Sequence, residues 1–106
     1  MHLQFEDGNR FALDGEVKRI SIGRDAANEM VLDDPQVSGF HAAVFVEDGR
    51  VEIMDLGSSN GTLVNDRPIS SRTALKPWDR LQIGDTQMEV VDDKKRRPTV
   101  LRPAIE

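Results

Sequence analysis

A chain of 106 residues is the size of one domain, and the absence of cysteine excludes a disulfide framework, a thiolate metal site and a cysteine nucleophile. The formal net charge of −5 is unevenly placed: residues 1–93 carry 9 Lys/Arg against 18 Asp/Glu, whereas residues 94–106 carry 5 against 1. An acidic body argues against nucleic acid as the main partner, and apolar runs of four to six residues are too short to span a membrane as a helix.

Taken in order, the chain reads as short apolar runs separated by Gly, Asn and Asp turns. Leu3 and Phe5 alternate with polar neighbours, Asp7-Gly8-Asn9 turns, and Phe11 and Leu13 resume the alternation. The opening Met1–Glu6 has no charged-then-apolar leader, so the expected location is cytoplasmic. Val17, Ile20 and Ile22 lead into Gly23-Arg24, and Met30-Val31-Leu32 is a short strand. His41 to Glu47 is the longest β-branched and aromatic run, and Asp48-Gly49 is a hairpin signal answered by Val51, Ile53 and Met54. Leu63-Val64, Ile69, Leu81 with Ile83, and Met88 with Val90-Val91 supply the remaining strands. Asp66-Arg67-Pro68 and Lys76-Pro77-Trp78-Asp79 are expected at turns or edges, because proline cannot donate to a central ladder. No run of helical period precedes residue 92. The pattern therefore reads as an all-β sandwich or barrel over residues 1–92, followed by a basic tail or linker over 93–106.

The residues with chemistry to offer lie between the strands. Leu56-Gly57-Ser58-Ser59-Asn60-Gly61-Thr62 sets short hydroxyl and amide donors between two glycines, which let backbone approach a ligand closely. Asn60-Gly61 is also a strong signal for a tight hairpin turn and nothing more. Arg24 follows Gly23 at a strand exit; its fork suits a phosphate, and pairing with Asp25 is the plainer reading. Ser38 and His41 open the long run, with Phe40 and Ala42 on one parity and His41 on the other. His2 and His41 are far apart and fit no metal-ligand spacing, so neither metal nor cofactor is expected.

Gly23-Arg24, Ser38-x-x-His41, Ser59-Asn60-Gly61-Thr62 with Val64-Asn65, and Trp78–Gly84 together resemble the forkhead-associated (FHA) domain family over about residues 3–91. The resemblance implies a two-sheet β-sandwich of about eleven strands whose loops at one end bind phosphothreonine peptides. It implies a phosphopeptide site of Arg24, Ser38, Gly39, Ser59 and Asn60: Arg24 supports phosphate and peptide backbone, the two serines donate to the phosphate, and Asn60 holds the peptide main chain. Gly23, His41, Gly61 and Asn65 would support the loops, His41 from behind. One position departs, since Gly39 stands where the family often has arginine or another polar donor.

The expectation is a non-enzymatic module in Ser/Thr kinase signalling. Its partner would be a phosphothreonine protein with basic flanks that suit an acidic rim of Asp25, Glu29, Asp33, Asp34 and Asp55. Gly39 supports an alternative, a scaffold of the same fold that docks a partner without phosphate. A hydrolase using Ser38 and His41 lacks a nucleophile elbow and an orienting carboxylate at plausible spacing. Arg96-Arg97-Pro98-Thr99 is similar to a basophilic kinase substrate, so Thr99 is a candidate phosphorylation site and self-association through it an expectation.

Overall fold

The computed structural model describes residues 1–13 and 18–94, and every regular element among them is a strand. In chain order these are β1 (His2–Phe5), β2 (Arg10–Ala12), β3 (Lys18–Gly23), β4 (Met30–Val31), β5 (Ala42–Glu47), β6 (Arg50–Asp55), β7 (Thr62–Val64), β8 (Arg67–Pro68), β9 (Thr73–Leu75), β10 (Arg80–Ile83) and β11 (Thr86–Val91). They form a six-stranded sheet, β2-β1-β11-β10-β7-β8, and a five-stranded sheet, β4-β3-β5-β6-β9. The short parallel pair β3–β4 sets Ile22 beside Met30 and Gly23 beside Val31. The all-β, eleven-strand sandwich expected from the sequence is what the chain forms.

Alternation explains why these segments are strands. On β3, β5 and β6 the inward residues Ile20, Ile22, Val44 and Ile53 are almost wholly buried, and Leu3, Leu81, Ile83 and Val90 face them from the other sheet. Each such side chain contributes about 1.5–3 kcal/mol when fully buried. Asp48 and Gly49, both with φ in the left-handed region, make the two-residue β5–β6 hairpin.

Three stretches refine the reading. Thr73–Leu75 forms a strand that the pattern did not single out, because a single buried residue, Leu75, carries it. Asp66-Arg67-Pro68, expected at a turn or an edge, divides between the two: Asn65-Asp66 make the turn (φ 50° and 69°), and Arg67–Pro68 is the edge strand of its sheet. Asn60-Gly61 closes no hairpin: β6 and β7 belong to different sheets, so the chain crosses the sandwich there.

The registers place the functional loops. Ile22 pairs with Ala42, Ala42 with Asp55, and Thr62 with Ile83, so β3 ends, β5 starts, β6 ends, β7 starts and β10 ends at one pole. β11 starts at that pole and runs away from it, leaving Val91 at the other. Asp93 reaches back there to His2, with Nδ1 3.3 Å from the carboxylate.

Candidate functional site

Segments 24–29, 32–41 and 56–61 meet at this pole, and backbone holds them together first. Arg24 N–H donates to Ser38 O at 3.0 Å and Asp25 N–H to Gly39 O at 3.1 Å, so the β3 exit and the Ser38 loop run side by side. Gly23 makes that possible: a Cβ at this position would lie 2.1 Å from Gly39 O. Buried Asn28 donates its amide to Asp25 O and to Gly39 O, at 2.8 and 2.7 Å. Arg24 itself is exposed, and the pairing with Asp25 is not formed: among the described residues Arg24 has no ion pair, and Asp25 Oδ1 accepts the Ala27 N–H.

His41, with no exposed surface, locks the Ser38 loop from inside. Ser38 N–H donates to His41 Nδ1 at 3.0 Å, which leaves the ring proton on Nε2, and Nε2 donates to Gly61 O at 2.8 Å. One imidazole thus ties the loop of one sheet to the crossing segment of the other. Further back, Asp34 accepts from Gln36 N–H, Asp85 N–H and Thr86 Oγ, pinning the loop to the β10–β11 turn. The Gln36 amide is the largest influence on the Asp34 carboxyl, and with the other donors it holds the pKa below the ordinary carboxylate value against the opposing effect of burial.

The crossing segment is wound around Asp55. Its carboxylate accepts from Gly57 N–H and Ser58 N–H at 3.0 Å each, from Ser58 Oγ, and from Thr62 Oγ at 2.8 Å. Burial pushes this carboxyl up, and the Ser58 and Thr62 hydroxyls with the two amides outweigh it, so the pKa is lowered. Ser58 Oγ also accepts Gly61 N–H at 2.9 Å. Ser58 is therefore committed inward, and the hydroxyls left to face a ligand are those of Ser38 and Ser59. Ser38 Oγ accepts Ser59 N–H at 3.1 Å, which leaves its own proton free to donate outward. Asn60 donates to Gln36 O at 2.8 Å and keeps its Oδ1 as an acceptor.

Arg24, Ser38, Gly39, Ser59 and Asn60 are thus joined through one hydrogen-bonded set of loops, with Gly23, His41 and Gly61 beneath. Asn65 lies apart: its side chain spans to Asp79 and to Arg80 N–H, fixing the β7–β8 hairpin against β10. Thr99 lies outside the described residues. Asp34 and Asp55, read from sequence as rim charges, are internal knots, and the exposed acids of the rim are Asp25, Glu29 and Asp33. An Asp two residues before Gly57 and three before Ser58 is an Asx-turn pattern, and that signal marks Asp55 in the sequence.

The β-sandwich presents Arg24, Ser38, Ser59 and Asn60 from loops braced at one pole, and among the described residues Arg24 has no ion pair. Ser38 Oγ engages Ser59 N–H, and it is the Ser38 amide that meets the His41 ring, so no serine–histidine relay is set up. The family comparison agrees: the FHA domain model matches residues 20–84, and the chain belongs to this family of binding modules. It is 42% identical over 77 residues to the glycogen accumulation regulator GarA of Mycolicibacterium smegmatis, across 73% of this chain and 47% of GarA. The chain thus spans about half the length of the curated relatives it matches. Among solved structures, the FHA domain of CT664 from Chlamydia trachomatis superposes with a TM-score of 0.80 at 32% identity, over 86% of this chain and 95% of that one. A structure from work on phosphothreonine-dependent FHA domain interactions gives a TM-score of 0.79 at 27% identity, over 89% and 97%.

Proposed function

We propose that this pole binds phosphothreonine in a partner of a cytoplasmic Ser/Thr kinase pathway. The observation that carries the reading is the exposed Arg24, without an ion pair among the described residues, on backbone that is bonded directly to the backbone of Ser38. A phosphothreonine brings about −1.5 to −2 charge and three acceptor oxygens. Arg24, Ser38 and Ser59 would supply donors for them, and Asn60, whose Nδ2 is engaged by Gln36, has its Oδ1 to offer a peptide N–H. The rim of Asp25, Glu29 and Asp33 favours basic residues flanking the phosphothreonine.

Arg24→Ala and Ser38→Ala are each expected to abolish or strongly weaken phosphopeptide binding while thermal unfolding stays near wild type. Loss of a charged donor from a buried ionic contact costs roughly 2–5 kcal/mol. Unchanged affinity in both variants removes phosphate recognition from the account. Gly39 favours a second reading, docking of a partner without phosphate through the same loops, since no side chain stands there to add a phosphate donor. Equal binding of a partner before and after phosphatase treatment identifies that case. Self-association through phosphorylated Thr99 fits a neighbouring copy better than the same chain, because β11 leaves Val91 at the pole away from the loops.

A further inference from the structure

Among the described residues the exposed large apolar side chains are Phe40, 53% exposed, and Val31, 49% exposed. Both belong to the stretch that carries Ser38. Phe40 is two residues from Ser38, inside the Ser38–His41 span that the amide-to-imidazole bond closes. Val31 pairs with Gly23 across β3–β4, and Gly39 O lies directly over Gly23. One glycine therefore separates Val31 from the Gly39-Phe40 backbone. Gly39, which stands between Ser38 and Phe40 in the chain, contributes no side chain.

This placement does not serve the fold. Ile22 and Ala42 make the buried contacts on either side of this loop, and an aromatic ring left in water forgoes burial that most such rings obtain. The ring is nonetheless presented from a fixed backbone: Ser38 O, Gly39 O and the Ser38 and His41 amides are all hydrogen-bonded. A surface that is rigid before binding loses little freedom when a ligand settles on it.

We propose that Phe40 and Val31 form an apolar ledge beside the phosphate site that receives an apolar side chain of the phosphothreonine segment itself. The inference rests on the phosphothreonine reading of Arg24 and Ser38, and continuity with that site selects the occupant: a peptide lying across Ser38 passes within two residues of Phe40. On this view the chain replaces a charged donor at position 39 by apolar contact at position 40. Its ligands then combine phosphothreonine, a basic flank and one large aliphatic or aromatic residue.

The test is a leucine scan. In a phosphothreonine peptide of alanine and lysine background, leucine is moved through the four positions on each side, and binding is titrated with wild type, Phe40→Ala and Phe40→Lys. Both substitutions are at an exposed site, and thermal unfolding checks that each variant is folded. The expected result is a gain of roughly three- to tenfold at one leucine position with wild type. Both variants lose that gain, and the leucine-free phosphopeptide binds Phe40→Ala within about twofold of wild type. A scan that is flat with wild type, or equally peaked in the variants, overturns the ledge. A flat scan with a dimer in light scattering that Phe40→Ala dissolves assigns Phe40 to a second copy of the chain and also overturns it. The unphosphorylated form of the best peptide separates the two claims. If it binds as tightly as the phosphorylated form, the phosphate reading fails, whereas lost leucine preference with retained phosphate dependence is a failure of the ledge alone.

Discussion

At the scale of single residues, position 39 distinguishes this site most. Gly39 does not need glycine's conformational freedom, since it is not among the positive-φ residues, and the nearest atom to an added Cβ is Asp25 Cβ at 4.0 Å. Gly39→Arg is therefore expected to fold normally and to raise affinity for a basic-flanked phosphopeptide by roughly tenfold, since a charge-assisted hydrogen bond is worth about 1.5–3 kcal/mol. Discrimination against phosphoserine should change little, because the new group adds charge and no methyl contact. Titration calorimetry on both peptides checks this, and no gain with the fold preserved would show that the peptide's phosphate lies out of reach of position 39. Arg24, Ser38 and Asn60 stood out in the sequence as candidates, and the structure brings their loops to one pole. Residue identity did not reveal that Ser58 is turned inward or that Asp34 and Asp55 hold loops. Hydroxyls and carboxylates look alike in sequence whether they face solvent or backbone; the crossing of β6 into β7 decides which for Ser58 and Asp55, and the approach of the β10–β11 turn decides it for Asp34.

At the scale of elements, the site depends on how closely the β3 exit and the Ser38 loop approach. Gly23→Ala puts a methyl where Gly39 O and the Asn28 amide now lie, with backbone on one side and a buried side chain on the other. The loop must move outward, at a cost of roughly 1–3 kcal/mol for such overpacking. The variant should unfold about 5–15 °C lower and bind phosphopeptide weakly, since the Arg24–Ser38 bond is displaced with the loop. Unchanged melting and binding would mean that this contact positions nothing. Most strands were legible because β3, β5, β6, β10 and β11 alternate or run apolar between clear turns. β9 was not, because three residues with one buried side chain carry too little pattern. Asn60-Gly61 misleads for a related reason: the local turn signal is genuine, and Gly61 has φ 81°, but the strands on either side go to different sheets.

At the scale of the molecule, two carboxylates couple the loops of this pole to acid stability. Asp34 and Asp55 have folded-state pKa values below the ordinary 3.8. Such groups add stability that is complete above the unfolded value and is lost as pH falls through the folded one. Denaturant midpoints should therefore hold steady from pH 7 to about pH 5 and fall below about pH 4. An Asp34→Asn, Asp55→Asn double variant should start lower and fall less steeply; a wild-type slope in that variant would remove these two groups as the cause. At one pole of the sandwich three loops are braced by His41, Asp34 and Asp55 around Arg24, which has no ion pair among the described residues, and the central claim is that this pole binds phosphothreonine. The most direct test of that claim is a degenerate threonine peptide library, measured phosphorylated and unphosphorylated against the same domain, with a phosphoserine copy as reference. The account predicts binding that needs the phosphate, at least roughly tenfold tighter than without it, and about threefold to fourfold weaker for phosphoserine, which lacks one buried methyl. Equal binding of the phosphorylated and unphosphorylated libraries would contradict it.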